Sequence, residues 1–263
     1  MTEFAHLDKD KIRQSFAAAA RNYDQLAVLQ RQVGSDLLLL FPPVPADGRV
    51  MDLGCGTGFL SRQLLQIDQQ LSLLAVDIAL PMLQSCREKN NLGLTSAYLC
   101  ADAENLPLIT GSMQQIYSNL ALQWCENLWA VFKGCRRILQ PDGQLVFATF
   151  GPATLHQLKS AWAQVDDYDH VNQFYSQTEI AEFLRTAGFT DVKIESRIYQ
   201  SQYQTVLELM RELKGIGAHN VSLGRNRKLT TRGQLQQMMA CYRQAMTDHR
   251  IIASYEIIFV RAR

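Results

Sequence analysis

The sequence lacks several features that define other classes of protein. No CxxC pair occurs among its six cysteines, which lie in apolar or helical stretches, so neither a zinc site nor a disulfide framework is expected. The aliphatic run Leu37–Phe41 is far too short to span a bilayer, and the polar N-terminus lacks the apolar core of a signal peptide. We therefore expect a soluble cytoplasmic protein with no bound metal and no membrane partner.

Charge of one sign is also missing. The 26 Lys and Arg residues are balanced by 25 Asp and Glu residues, which gives a formal net charge of +1. A nucleic-acid binder held by overall charge is therefore disfavoured, and an acidic partner would have to meet a local basic patch. With 263 residues and 47% hydrophobic composition, the chain suits one α/β unit that carries an insertion.

The stretch Val50–Leu60 organises the rest of the chain. It predicts a short apolar strand that ends near Asp52, a glycine-rich loop and the start of a helix. Gly54, Gly56 and Gly58 remove β-carbons where the chain bends and where a ligand approaches the backbone. This spacing differs from the Gly-x-Gly-x-x-Gly of dinucleotide binders. Asp52 suits a ligand with a positive amine, such as S-adenosylmethionine (SAM).

Strand and helix segments alternate from residue 49 to residue 150. This alternation predicts a mainly parallel sheet with helices on both faces. Pro141-Asp142-Gly143 is predicted to turn the chain into a fifth strand, Gln144–Phe150. Later segments predict helices at Tyr203–Lys214 and Thr231–Met246 and a closing strand at Ala253–Arg261.

These segments suggest a division of the chain. Residues 1–48 form a helical N-terminal cap, and residues 49–263 form the α/β domain. Within that domain, an insertion at about residues 203–250 precedes the last strand. An insertion of this kind is typical of a lid or a recognition element.

Polar residues follow each of the first four predicted strands. They are Asp52, Asp77, Asp102 and Asn119. Parallel strands bring their carboxyl ends to one rim, which is where open α/β sheets bind ligands. Asp77 suits a ribose diol because its carboxylate accepts both hydroxyl hydrogens. Asp102 suits the amino group of an adenine.

Neighbouring residues complete this predicted nucleoside site. The Ala103 N–H is available to a ring nitrogen of adenine, and Ile78 and Met82 sandwich the ring. Gly54 and Asn119 hold the methionine end through backbone carbonyls.

Four segments of the sequence resemble class I SAM-dependent methyltransferases. They are Val50–Gly58, Val76-Asp77, Ala101-Asp102-Ala103 and Pro141-Asp142-Gly143. The resemblance implies a Rossmann-like α/β fold with a seven-stranded sheet, a last strand that is antiparallel, and SAM as the cofactor.

A closer resemblance covers most of the remaining chain. The segments look like the BioC family, the malonyl-carrier-protein O-methyltransferases of biotin synthesis. They are Phe16–Asp24, Ser118–Cys125, Phe150–Leu155, Lys214–Asn220, Leu229–Thr231 and Tyr255–Phe259. Lys214–Asn220 and Tyr255–Phe259 are the discriminating segments. The resemblance implies methylation of the free carboxyl of a malonyl thioester on acyl carrier protein, which primes pimeloyl synthesis.

A carboxylate acceptor changes which residues the chemistry requires. Since its free pKa is about 4, it is already ionised at neutral pH and needs no general base. None of the five histidines is placed in a His/Asp pair by the sequence. The expected work is orientation and exclusion of water. Tyr23 and Gln123 are the predicted anchors, and Trp124 is a predicted substrate-side wall.

Cationic residues are the remaining candidates for acceptor recognition. Arg197, Lys214 and His219 are candidates for the malonyl carboxylate, although a neutral hydrogen-bonding pocket serves equally well. A basic run in the insertion suits docking of an acidic carrier protein. It contains Arg225, Arg227 and Lys228.

Two other functions stay open at the level of sequence. One is methylation of another small carboxylate or of a quinone ring carbon, although ring methylation calls for a base that the sequence does not offer. The other is a SAM-binding module without catalytic activity.

Overall fold

The computed structural model describes residues 7–44, 48–90, 96–218, 230–246 and 250–263. Strands occur at β1 (Arg49–Leu53), β2 (Ser72–Asp77), β3 (Ala97–Cys100), β4 (Met113–Asn119), β5 (Leu139–Phe150), β6 (Val192–Tyr203) and β7 (Ile251–Ala262). Helices occur at α1 (Lys9–Ala19), α2 (Tyr23–Leu26), α3 (Val28–Leu40), α4 (Phe59–Ile67), α5 (Leu80–Asn90), α6 (Leu128–Ile138), α7 (His156–Trp162), α8 (Gln177–Thr186), α9 (Val206–Gly215) and α10 (Arg232–Gln244). A short 3-10 turn lies at Leu122–Trp124.

The strands form one seven-stranded sheet in the order β3-β2-β1-β4-β5-β7-β6. Strands β1 to β5 pair in parallel, and β7 is antiparallel to both β5 and β6. The predicted α/β fold with an antiparallel last strand is therefore confirmed. Helices α9 and α10 lie between β6 and β7, as expected for the insertion.

Each face of the sheet carries its own hydrophobic core. Successive residues of β1 point to opposite faces, so Val50 joins one core while Met51 joins the other. The first core includes Leu37 of α3 and Met238 of α10, and the second includes Phe132 of α6. Strands buried on both faces read as continuous apolar runs, which explains the sequence of β1 and β2.

The segment Pro141–Gly143 corrects one prediction. The predicted turn lies inside β5, which begins at Leu139. Met113 pairs with Leu139 and Gln115 pairs with Gln144, so the two strands lose register between these pairs. Proline has no N–H to donate to the ladder, and strands tolerate it at such bulges.

The N-terminal helices contact the insertion through two glycines. A Cβ built on Gly215 would lie 2.2 Å from Cδ1 of Leu26, so α9 and α2 pack closely here. Gly217 has a φ of +77°, and its Cβ would lie 3.0 Å from the carbonyl oxygen of Ser15. Both positions lie in the Lys214–Asn220 segment, and their packing joins the insertion to α1 and α2.

None of the helices in the described ranges is both long enough and apolar enough to cross a membrane.

Candidate active site

The carboxyl ends of β1 to β4 open into one pocket, here called the rim pocket. Its volume is about 780 Å³ with its open mouth included. Most of the residues predicted to bind the cofactor line it: Gly54, Gly56, Asp77, Ile78, Met82, Asp102, Ala103 and Asn119. The parallel sheet thus gathers side chains from four separate strand ends at one site, as the sequence predicted.

The glycine loop shapes the inner side of the rim pocket. Gly54 has a φ of +76°, and a Cβ on it would lie 2.2 Å from Cβ of Ala121. A side chain is therefore excluded here by both backbone conformation and space. Gly58 lines neither the rim pocket nor the two further pockets described below. It is the N-cap residue of α4, with a φ of +87°. Its role is in the turn of the loop and not in the ligand wall.

Asp77 ties the glycine loop to the end of β2. Its carboxylate accepts hydrogen bonds from the Gly56 N–H at 2.9 Å and the Ala79 N–H at 2.8 Å. Burial raises the pKa of Asp77, although these backbone N–H groups oppose the shift. Each carboxylate oxygen keeps a second lone pair, so the group can still accept from a ribose diol.

Asp102 has a partner that the sequence did not reveal. Lys9 of α1 places its Nζ 2.6 Å from Asp102 and 3.0 Å from Glu104. Lys9 also lines the rim pocket, and its two ion pairs hold α1 across the adenine end. An adenine amino group at Asp102 would share this carboxylate with Lys9.

Asp52 lies deeper, in an adjoining space here called the loop subsite. This space has a volume of about 430 Å³ and shares the lining residues Tyr23, Gly54, Gly56 and Asn119 with the rim pocket. Asp52 is 1% exposed and accepts a 2.6 Å hydrogen bond from the Ser61 hydroxyl. Burial raises the pKa of the Asp52 carboxyl to about 7, against the lowering effect of Ser61.

Asn119 presents an unpaired acceptor at the same place. Its Nδ2 donates to the Gln30 carbonyl at 2.8 Å, whereas its buried Oδ1 has no hydrogen-bond partner among the described residues. A buried acceptor of this kind normally has a donor. The ammonium group of an amino-acid ligand supplies one, and the acidic Asp52 lies in the same subsite. The site therefore fits the methionine end of SAM, through the Asn119 side chain as well as the predicted backbone.

Arg31 is a cationic residue of the loop subsite that the sequence analysis missed. Its guanidinium donates to the Asp24 carbonyl, and Asp24 in turn accepts from Lys89 at 2.8 Å and from the Thr57 hydroxyl. A guanidinium is suited to bind a carboxylate. Arg31 carries no sequence signal, since it lies on an ordinary helical surface position of α3.

A second large space, the aromatic pocket, lies beside the rim pocket. Its volume is about 800 Å³, and β7, α7, α9 and the loop around His170 contribute to its lining. Four residues line both pockets and form what we call the shared wall: Phe16, Tyr23, Leu120 and Trp124. Phe16 and Trp124 meet edge to face, with ring centroids 5.3 Å apart. The predicted substrate residue Trp124 therefore separates the two spaces.

Tyr23 lines the rim pocket, the loop subsite and the aromatic pocket. Burial, together with the neighbouring negative charges of Asp77 and Asp24, raises the pKa of its hydroxyl. The hydroxyl therefore keeps its proton at neutral pH and is available as a hydrogen-bond donor at the junction.

Gln123 lines the aromatic pocket in a fixed orientation. Its Nε2 donates to the Leu120 carbonyl at 2.6 Å, and its Oε1 accepts from the Thr149 hydroxyl at 3.3 Å. These bonds use one of the two hydrogens on Nε2, so the amide can still donate once more.

The structure does not bring two of the predicted cations to the aromatic pocket. Arg197 is exposed on β6, the edge strand, where its guanidinium lies 2.7 Å from Glu195. Lys214 is exposed at the end of α9 and does not contribute to the lining. His219, Arg225, Arg227 and Lys228 lie outside the described residues. Of the described lining residues, none is Lys or Arg.

His170 lines this pocket instead, and it pairs with a carboxylate outside the lining. The sequence placed none of the histidines in such a pair. His170 places its Nε2 2.8 Å from Oδ1 of Asp166, and its ring stacks on Trp162 with centroids 3.7 Å apart. The spacing of four residues between Asp166 and His170 was the available signal. This spacing predicts a contact between side chains only on a helix, and the two residues lie in a loop.

Comparisons with known proteins agree with this geometry. Residues 51–147 match a family model described as a methyltransferase domain. A solved phosphoethanolamine N-methyltransferase 2 from Haemonchus contortus, in complex with S-adenosyl-L-methionine, shares the fold: the TM-score is 0.55 at 16% identity, over 88% of this chain and 52% of that one.

Two curated relatives are more similar in sequence. The malonyl-acyl carrier protein O-methyltransferase of Halorhodospira halophila is 39% identical over 97% of this chain and 88% of its own length. The biotin biosynthesis bifunctional protein BioHC of Cellvibrio japonicus is 36% identical over 97% of this chain and 50% of its own length. The fold, the SAM site and the first of these relatives together show that the chain belongs to the malonyl-acyl carrier protein O-methyltransferase family, as the sequence resemblance predicted.

Proposed function

We propose that this protein methylates the free carboxyl of a malonyl group carried on acyl carrier protein, using SAM, and so primes pimeloyl synthesis for biotin. The observation that carries the proposal is the shared wall. It lies between the rim pocket, whose lining suits SAM, and a second pocket of similar volume, and Tyr23 lines both.

The reaction suits the residues at the junction. Bound SAM supplies a methyl group on a positively charged sulfur, which a carboxylate oxygen displaces in line without any proton transfer. The remaining tasks of the protein are to orient the two reactants and to exclude water. These effects can lower the activation barrier by up to about 7–11 kcal/mol. We assign Tyr23 and Gln123 to hydrogen bonds that orient the acceptor carboxylate, and the aromatic rings of the shared wall to exclusion of water.

The cofactor is held by the residues that line the rim pocket and the loop subsite. We assign Asp52 and the Asn119 side chain to the ammonium group, and Asp77 to the ribose. We assign Asp102 and Ala103 to hydrogen bonds with the edge of the adenine ring, and Ile78 and Met82 to contacts with its two faces.

The organisation of the chain follows from these assignments. We propose that residues 1–48 act as a cap over SAM and that the insertion at about residues 203–250 covers the acceptor. The basic run Arg225, Arg227 and Lys228 docks the acidic carrier protein, and His219 stays a candidate for the malonyl carboxylate. The proposed site of action is the cytoplasm.

The decisive experiment incubates the protein with SAM and malonyl-acyl carrier protein and detects the methyl ester by mass spectrometry. Parallel reactions contain malonyl-coenzyme A, free malonate, a quinol and acetyl-acyl carrier protein. We expect ester from the malonyl thioesters and none from the acetyl carrier. Absence of ester from every acceptor, while SAM binds, would identify a binding module. Methylation of the quinol or of free malonate alone would support the alternative function, a methyltransferase that acts on a quinone or on another small carboxylate.

A further inference from the structure

The aromatic pocket contains a cation-capable group whose role the proposed function does not assign. His170 lines this pocket together with Tyr23, Gln123 and Trp124. Its side chain is 13% exposed, and that of Asp166 is 11% exposed, so the pair is largely removed from water. Buried ionisable groups are costly unless they are paired or used.

Two neighbours of His170 provide contacts that suit a positive charge. Nε2 is 2.8 Å from Oδ1 of Asp166, and the other carboxylate oxygen of Asp166 is buried without a hydrogen-bond partner among the described residues. Oδ1 also accepts from the Tyr168 N–H at 3.1 Å, so one carboxylate oxygen has two contacts and the other has none among the described residues. Hydrogen bonds between charged partners are stronger than neutral ones, so a cation is a favourable partner for this carboxylate. The indole of Trp162 lies parallel to the imidazole at a centroid distance of 3.7 Å, and an aromatic face attracts a cation.

A protonated imidazole has a second donor. With Nε2–H directed to Asp166, Nδ1 carries the second proton of the charged ring and donates to a ligand. The other ionisable groups that line the pocket are Glu212 of α9, Tyr255 of β7 and Tyr23 of α2. Glu212 accepts a 2.9 Å hydrogen bond from the Tyr203 hydroxyl. None of these groups can carry a positive charge, so His170 is the one group of the described lining that can become a cation.

Building on the proposed function, we propose that protonated His170 binds the acceptor carboxylate through the oxygen that does not receive the methyl group, and that Asp166 is its positioning residue. Methylation converts this carboxylate into a neutral ester. The ion pair with His170 is then lost, so the pocket holds the substrate more tightly than the product. His170 thereby selects acidic acyl groups and favours release of the ester.

The test measures binding without turnover. The protein is saturated with S-adenosylhomocysteine, and the affinities of malonyl-acyl carrier protein and its methyl ester are compared by calorimetry. We expect the wild type to bind the malonyl form at least about tenfold more tightly, as a hydrogen bond between charged groups predicts. His170→Phe keeps a ring on Trp162 and should abolish this preference while affinity for the ester is unchanged. His156→Phe is the matched control, since His156 is exposed outside the pocket.

A second variant guards against a loss of folding. His170→Gln keeps hydrogen-bonding capacity without charge and should also remove the preference for the malonyl form. In steady state with saturating SAM, His170→Gln should raise KM for malonyl-acyl carrier protein more than it lowers kcat. Asp166→Asn should raise KM more than it lowers kcat, and Asp166→Glu should restore part of the loss.

Three outcomes would overturn the role of His170. They are a wild type that binds both carrier forms equally, a His170→Phe variant that weakens both forms to the same degree, and a His170→Gln variant that keeps the preference for the malonyl form. Failure of the wild type to form any ester would count against the proposed function alone, because the binding comparison does not depend on turnover.

Discussion

Asp52 is the residue on which, in our proposal, recognition of the ammonium group depends most directly. Its carboxyl is almost fully buried, and its pKa is raised to about 7 by that burial. A raised carboxyl pKa means that the folded protein takes up a proton as pH falls through about 7, and the neutral acid no longer attracts an ammonium group.

The affinity for S-adenosylhomocysteine should therefore rise with pH. From about pH 6 to about pH 7 we expect an increase of about fivefold, because the ionised fraction of one carboxyl with a pKa of about 7 rises by that factor. Calorimetric titrations between about pH 5.5 and 7.5 keep the ligand's α-ammonium group largely protonated. Asp52→Asn should bind weakly at every pH. Ser61→Ala removes a bond that lowers the pKa of Asp52, so its profile should move to higher pH; an unmoved profile would contradict the assignment.

At the scale of elements, α1 is held over the rim pocket by Lys9. Lys9→Gln removes ion pairs to Asp102 and Glu104, which are partly exposed, and such pairs contribute about 0–1 kcal/mol. We expect amide hydrogens of α1 to exchange up to about fivefold faster in the variant. Lys11→Gln is the control, because Lys11 pairs only locally with Asp8 among the ion pairs of the described residues. Equal exchange in both variants would show that the ion pairs of Lys9 do not hold α1 in place.

Gly217 connects the insertion to the N-terminal helices. Gly217→Ala forces a left-handed conformation that costs about 1–2 kcal/mol and places Cβ against the Ser15 carbonyl. Besides the loss in free energy of unfolding, we expect a higher KM for the acceptor, since α9 lines the aromatic pocket. Gly111→Ala is a matched control: Gly111 has a φ of +67° with nothing within 4 Å of its added Cβ. That variant should lose stability while its KM is unchanged, and a parallel rise in KM would refute the packing argument.

The contrast between the two pockets explains how far the sequence could be interpreted. Strand ends such as Asp77 and Asp102 were predictable, because a parallel sheet brings consecutive strand ends to one rim whatever the loops do. The aromatic pocket is assembled from α7, α9, β7 and a loop, with no periodic pattern to relate them. Arg197 was a plausible cation by charge, but its position on an edge strand became visible only with the strand order.

The same reasoning applies to Lys9 and His170. Lys9 meets Asp102 across 93 positions of sequence, so only the folded chain shows the pair. His170 meets Asp166 in a loop, where spacing predicts no contact.

At the scale of the whole molecule, the charge is nearly neutral, at +1. Attraction of an acidic carrier protein then depends on local charge and should weaken with salt. Changing Arg225, Arg227 and Lys228 to Glu should raise KM for malonyl-acyl carrier protein severalfold and flatten its dependence on salt. KM for malonyl-coenzyme A should barely change, since it lacks the carrier surface.

A second triple variant controls for total charge. Lys133, Arg185 and Lys193 are exposed, and changing them to Glu alters net charge by the same amount. We expect this control to leave KM for the carrier close to that of the wild type. Equal effects of the two triple variants on the carrier substrate would show that overall charge, and not a docking site, governs the encounter.

The shared wall also has a consequence for inhibition. Phe16, Tyr23, Leu120 and Trp124 border both spaces, and the proposed methyl transfer has to pass between them. We therefore expect that one molecule can reach both pockets past these residues. An adenosyl group linked at its 5′ position to a short dicarboxylic arm would bind as a bisubstrate ligand. Linking two fragments makes the second binding event intramolecular, so its affinity can exceed that of either fragment by about 10²- to 10⁴-fold. Methyltransferases without the second pocket would bind only the adenosyl half.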